Sequence, residues 1–340
     1  MRYIEIAHSP LPLSVLCLGT ASYGSAIPCA DAFRMMDAFV EQGGNVFDTA
    51  HVYARWLPNG EGSSERTIGA WIKANDCRQD VVVGTKGCTL NLETRERPDL
   101  TPEQITRELS ESLDRLQTDY VDIYWLHRDN PAVPVADVLD ALAPHVMAGH
   151  IRALGASNWT WTRLREAADC ARSRGIQGFS ASQISWSLAA GTGRPPGDPT
   201  TVSMDDETHA YHLASGLSAI PFSAQAGGFF AGKGRALHDR YGDSPPETAP
   251  GVRHFSPENV RRVECSEQLA RQYGVSPNSI ALAYLTSQPF PVSAIIGPRT
   301  VEQVVSSCEA ADLRLSRQDL AFLDGSSTSG QAREGASERG

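Results

Sequence analysis

Asp48, Lys86 and His127 each stand at the end of an apolar run, and Tyr53 follows the first of them by five positions. Together these types could move a proton onto a carbonyl. A tyrosine phenol has a pKa of about 10 and exchanges protons poorly at neutral pH. A lysine ammonium beside it favours the phenolate and lowers that value, and a carboxylate paired with the lysine keeps the ammonium charged and fixed. Asp48, Lys86 and Tyr53 supply those parts, and His127 would orient a carbonyl oxygen against the Tyr53 hydroxyl. A carbonyl that accepts a proton still needs a hydride, so the scheme calls for a reduced cofactor. Each residue taken alone has a plainer explanation. Asp48-Thr49 reads equally as a helix N-cap, Lys86 as a snorkelling side chain, and His127 as a satisfied, half-buried imidazole.

The elements that would carry these residues decide between the readings. Residues 15–19 form a short apolar run that breaks at Gly19-Thr20, and a helical pattern follows from Asp31, an N-cap candidate, to Gly43-Gly44. Val46-Phe47 runs into Asp48, residues 63–75 are helical, and residues 81–86 are a β-branched run of the kind a parallel sheet buries on both faces. Thr101-Pro102-Glu103-Gln104 is a capping box with proline at the first helical position. Residues 121–127, 151–157, 179–183, 219–223 and 292–296 continue the strands, with helices between them starting at Val135, Thr160, Asp205, Ser256, Ser276 and Thr300. The first residues, 1–14, read as a β-hairpin.

Strand then helix, eight times over, predicts a parallel sheet closed as an α/β (β/α)8 TIM barrel with an N-terminal hairpin and long loops at its C-terminal face. The barrel domain is expected over residues 1–325, with a disordered tail at 326–340. An open doubly wound sheet is the runner-up, but no GxGxxG follows the first strand. In such a barrel the strand exits face the active-site mouth. They read Asp48, Lys86, His127, Ser157-Asn158, Gln183, Phe222-Ser223 and Gly297-Pro298-Arg299. Polar groups at nearly every exit favour a site over a set of coincidental caps.

Composition excludes several classes. Among 340 residues, 41% are hydrophobic and 21% charged, ordinary values for a globular chain with ample core. A net charge of −10 argues against nucleic acid and anionic membrane surfaces. No apolar run approaches the ~20 residues of a membrane span, and the N-terminus lacks a signal core. The seven cysteines show no CxxC or CxxH spacing and read as buried hydrophobes of a reducing compartment, so a cytoplasmic protein is expected. The nine histidines include no HxH or HExxH, so no metal is expected. Neither a P-loop nor a GxSxG elbow is present. Lysine occurs only at positions 73, 86 and 233, which makes a lysine inside a strand conspicuous.

The chain resembles the aldo-keto reductase superfamily. The matching pieces are LGT at 18–20, NVFDTAHVY at 45–53, SSERTIG at 63–69, GTKG at 84–87, DIYWLH at 122–127, GHIRALGASNW at 149–159, Gln183, PFSAQAGGFFAGK at 221–233 and IIGPRTVEQ at 295–303. The resemblance implies Tyr53 as general acid of carbonyl reduction, with Lys86, Asp48 and His127 tuning and orienting. It implies that Ser157, Asn158 and Gln183 bind the nicotinamide carboxamide, that Phe222 stacks on the nicotinamide, and that Ser223, Gln225 and the glycine-rich segment from Gly227 cover the pyrophosphate. Gly19, Thr20, Asp48 and Gly297 complete the expected cofactor groove. Arg299 would meet the adenosine 2′-phosphate and Gln303 the adenine; a guanidinium is a natural bidentate partner of phosphate, so NADPH (NADP+) is favoured over NADH.

The pattern departs from the family in four places. Tyr53-Ala54 replaces the usual Tyr-Gly, and residues 55–60 are extra; that loop brings Trp56 to the substrate mouth, where it stacks on a substrate ring or packs on the barrel rim. Ser223-Ala224-Gln225 replaces Ser-Pro-Leu, Ser307 replaces an expected asparagine, and residues 188–204 form an insertion over the C-terminal face. The expected substrate is a small-molecule carbonyl compound held near Tyr53, Trp56 and His127. Two other readings stand beside it: a cofactor-retaining regulatory subunit, and an oxidoreductase that oxidises keto-sugars or glycosides. Oligomeric state is not legible.

Overall fold

Runs of β-branched and aromatic residues build the sheet, and their burial on both faces closes it. The computed structural model describes residues 1–9, 12–58, 60–191, 198–249 and 251–326. Strands β1 (Tyr3–Ile4) and β2 (Leu13–Ser14) pair antiparallel as the expected hairpin. The barrel follows as β3 (Leu16–Gly19), β4 (Val46–Asp48), β5 (Val82–Gly87), β6 (Val121–Leu126), β7 (Ile151–Ser157), β8 (Phe179–Gln183), β9 (Ser218–Ala219) and β10 (Ala294–Ile296). The 8-stranded sheet is ordered β10-β3-β4-β5-β6-β7-β8-β9 and all its pairs are parallel. A bridge between Ala219 and Val292 joins its two ends, so the fold is a (β/α)8 barrel.

The helices are α1 (Cys29–Glu41), α2 (Ser63–Asn75), α3 (Pro102–Leu116), α4 (Val135–Met147), α5 (Trp161–Arg174), α6 (Asp206–Ser215), α7 (Lys233–Tyr241), α8 (Pro257–Tyr273), α9 (Pro277–Thr286), α10 (Val301–Cys308) and α11 (Arg317–Asp324). Thr101, Thr160, Asp205, Ser256, Ser276 and Thr300 each accept a backbone N–H as N-caps. Three details differ from expectation. Asp31 lies inside the first turn of α1, whose N-cap is Pro28, and there it pairs with Arg34. Gln104 completes its box one residue early, accepting the N–H of Leu100 at 3.1 Å. The strand expected over 219–223 is regular only at its start, because Pro221 has no N–H to give the ladder; Ile220 and Phe222 still donate to Ser182 and Ile184.

Two apolar layers hold the barrel. Inside it, Cys17, Val46, Val82, Ile123, Trp125, Ala153, Ala181, Ile220 and Ile295 pack together, and Ile6 and Leu13 of the hairpin segment join them. Trp125 needs Gly155 beside it: a Cβ there would lie 2.2 Å from the indole ring. Outside, the strands pack on the helices, with Phe39, Phe47, Ile68, Trp71, Leu109, Leu126 and Trp159 among the buried residues. No helix among the described residues is long and apolar enough to cross a membrane. The expected tail lies outside the described residues except Ser326, whose N–H and hydroxyl both donate to the Ala321 carbonyl.

Candidate active site

Parallel register brings the strand-exit residues together. Asp48 is opposite Gly84, two residues before Lys86, and Lys86 is opposite Trp125, two residues before His127. The Lys86 ammonium is the hub. It donates to Asp48 Oδ2 at 2.5 Å, to the Thr49 carbonyl at 2.7 Å and to the Tyr53 hydroxyl at 3.0 Å. Lys86 is 1% exposed and Asp48 3%, so this is a buried ion pair rather than a snorkelling lysine. Nor is Asp48 a helix cap, since its other oxygen accepts Gln183 Nε2 at 2.9 Å. The His127 ring meets the Tyr53 ring edge-on, 6.2 Å between centroids. Among the described residues His127 Nδ1 has no hydrogen-bond partner.

The electrostatics correct one expectation. Burial raises the Tyr53 phenol, Lys86 pulls it down by charge and hydrogen bond, Asp48 pushes it up, and the net shift is upward. Lys86 therefore moderates a rise instead of producing a net fall, and Tyr53 is held as the protonated acid. Burial opposes the Lys86 charge, yet Asp48 and Tyr53 outweigh it and its pKa is raised. Burial, with Arg128 and Lys86, drives His127 well below its ordinary value. The imidazole is neutral at pH 7.

A groove of about 1120 Å³ opens beside this cluster. Gly19, Thr20, Asp48, Tyr53, Phe222, Ser223, Gln225, Gly227, Gly297, Arg299 and Gln303 all line it. Ser157, Asn158, Gln183, Lys86, His127 and Trp56 are not among its lining residues. Asn158 bonds the His127 carbonyl and Ser157 Oγ through Nδ2, and Gln183 serves Asp48. The Thr20 hydroxyl holds the Asp48 carbonyl at 2.8 Å. Gln225 takes up the altered positions: Oε1 accepts Gly297 N at 3.0 Å and Nε2 donates to Ser307 Oγ at 3.2 Å. Gln303 Oε1 accepts Arg299 N at 2.8 Å.

Two cations of the groove, Lys233 and Arg253, escaped the sequence reading. Lys233 had a signal, being one of three lysines and lying within a matched segment, and its ammonium now donates to Gly227 O at 2.6 Å. Arg253 had none, since it lies in an irregular stretch. Lys233 and Arg253 lie beside left-handed backbone at Gly227 (φ 61°) and Gly228 (φ 85°), and Arg299 is a third exposed cation of the same groove. A polyanionic dinucleotide fits such a lining, with the aromatic Phe222 available to a ring.

The two enlarged loops are held differently. Trp56 is 58% exposed, so most of its indole is open to solvent. Arg128, next to His127, donates to Asp198 Oδ2 and Thr200 Oγ1, both at 3.0 Å, and Val202 N donates to Asn158 Oδ1 at 3.2 Å. The C-terminal end of the 188–204 insertion is thus tied down beside the site, while Leu188 and Ala190 at its other end bond to Arg262 and Asn259 of α8; residues 192–197, and Asn59 in the loop after Tyr53, lie outside the described residues.

Comparison with known proteins agrees with this geometry. The model of the Aldo/keto reductase family matches residues 15–327. The chain belongs to the aldo/keto reductase family. It is 30% identical over 329 residues to the uncharacterized oxidoreductase YrpG of Bacillus subtilis, covering 95% of each chain. It is 30% identical over 354 residues to protein tas of Escherichia coli, covering 95% of this chain and 97% of that one. Norsolorinic acid reductase of Aspergillus flavus is 28% identical over 331 residues, 92% of this chain and 77% of the relative. As a member of this family the chain is an NAD(P)H-dependent oxidoreductase.

Proposed function

We propose that the protein is a cytoplasmic NADPH-dependent reductase of aldehyde and ketone carbonyls. The observation that carries this reading is the Lys86 ammonium bonded at once to Asp48 and to the Tyr53 hydroxyl. Tyr53 is the general acid: its hydroxyl hydrogen-bonds the carbonyl oxygen and gives up its proton as the oxygen gains charge. Lys86, held by Asp48, compensates the phenolate left behind. Neutral His127 orients the same oxygen as a hydrogen-bond donor. Ser157, Asn158 and Gln183 would hold the nicotinamide amide, and the aromatic Phe222 of the groove would take its ring. Ser223, Gln225 and Gly227 would cover the pyrophosphate with Gly19, Thr20 and Gly297, while Arg299 and Gln303 would take the adenosine end. Bound NADPH supplies the hydride.

Arg299 supports NADPH over NADH, because an exposed guanidinium on the groove gains most from a phosphate. Trp56 supports substrates with a flat or ring face, in keeping with relatives named for norsolorinic acid and aryl alcohols. Consumption of NADPH across aldehydes, ketones and keto-sugars, run beside NADH with the alcohol quantified, tests the proposal. One alcohol per NADPH, and slower turnover with NADH, is the expected result. Cofactor binding with no turnover across the panel would instead favour a regulatory subunit.

A further inference from the structure

The Tyr53 loop is tied from behind by a charged network that the proposed chemistry leaves unused. We propose that Arg115 is a positioning residue for Tyr53: its guanidinium holds the His51 backbone, two residues before Tyr53, against the strand that carries Lys86. The inference rests on the reductase reading of the site and adds a residue to it.

Arg115 sits on α3 with its side chain 14% exposed. Nη1 donates to the His51 carbonyl and to Glu65 Oε2, both at 3.3 Å. Nη2 donates to Glu111 Oε2 at 3.2 Å and lies 3.6 Å from Glu61, at the far end of the same loop. Each partner leads back to the site. His51 N donates to the Lys86 carbonyl at 2.9 Å, and its Nε2 meets Glu111 Oε2 at 2.7 Å. Glu65 is fully buried, and its other oxygen accepts the hydroxyl of Thr85, the neighbour of Lys86, at 2.6 Å. One guanidinium therefore links both ends of the Tyr53 loop and, through Glu65, the Lys86 strand. Only a planar fork reaches these directions together; a lysine at 115 keeps the charge for Glu65 but cannot span them. The Tyr53–Lys86 contact of 3.0 Å depends on where this loop is held.

Arg115→Lys is the test, with Arg115→Met/Glu65→Gln as a second variant that removes both charges and strands no buried carboxylate. The expected result for both is a folded protein with the NADPH Kd and carbonyl KM within about twofold of wild type, and kcat lower on the order of tenfold to a hundredfold. The alkaline limb of the kcat–pH profile moves up, because a Tyr53 displaced from Lys86 loses the charge that holds its pKa down. Hydrogen exchange at the His51 and Tyr53 amides is faster than in wild type. Wild-type kcat, pH limb and exchange in Arg115→Lys, whatever its melting temperature, would overturn the role of Arg115. No turnover by wild type itself overturns the reductase reading instead, and the exchange measurement then still reads the tether.

Discussion

A phenol that must donate a proton needs to be protonated when substrate arrives, and burial arranges that here. Desolvation wins over Lys86 at Tyr53, so the acid form persists above the ordinary value of about 10. The rate of carbonyl reduction should therefore stay level through neutral pH and fall only as the phenol ionises beyond that value; a profile at saturating NADPH checks this. A limb below pH 9 would contradict it. At the other end of the groove, the proposed 2′-phosphate contact predicts that Arg299→Ala costs about 1.5–3 kcal/mol, on the order of tenfold to a hundredfold in Kd. The loss should appear for NADPH and hardly for NADH in fluorescence titrations. At this scale the sequence was informative: the cluster was legible because Asp48, Lys86 and His127 are polar types at strand exits and Tyr53 follows Asp48 by five positions. The direction of the Tyr53 shift was not, because it depends on how deeply the folded chain encloses the hydroxyl.

At the scale of elements, the alternation of apolar strands and capped helices was enough to specify the barrel. Local chemistry also placed most helix starts, since Thr160, Asp205, Ser256, Ser276 and Thr300 cap within their own turn. Helix α7 was missed for the opposite reason: Leu237 is its one large buried side chain, and a single apolar residue makes no stripe. The ties from Arg128 to Asp198 and from Arg115 to His51 were invisible because spacing does not announce pairs 70 and 64 positions apart. The Tyr53 loop also holds strain. Ala54, where the family pattern has glycine, is buried in the left-handed region at φ 64°. Ala54→Gly should raise the unfolding free energy by about 1 kcal/mol, read as a higher urea midpoint.

At the scale of the whole molecule, several histidines, His212 and His254 buried and His127 and His145 half-buried, are held neutral. Burial and Arg253 bring His254 down to about 4, and burial first of all lowers His127, His145 and His212. In the unfolded chain each takes up a proton at about 6.5, so below that value the unfolded state binds more protons and stability falls with falling pH. The urea midpoint should drop steadily from pH 7 toward 4, and His254→Gln should flatten part of that slope. An unchanged slope in the variant would remove His254 from the account. The barrel and its charged clamps place Tyr53 against Lys86, and Tyr53→Phe tests the proposed proton donor by deleting a single oxygen. In stopped-flow reduction of a carbonyl substrate by the NADPH-loaded protein, the variant should bind NADPH as wild type does and lose on the order of a hundredfold or more in the hydride-transfer rate. Undiminished transfer in Tyr53→Phe would contradict the assignment of Tyr53 as the acid.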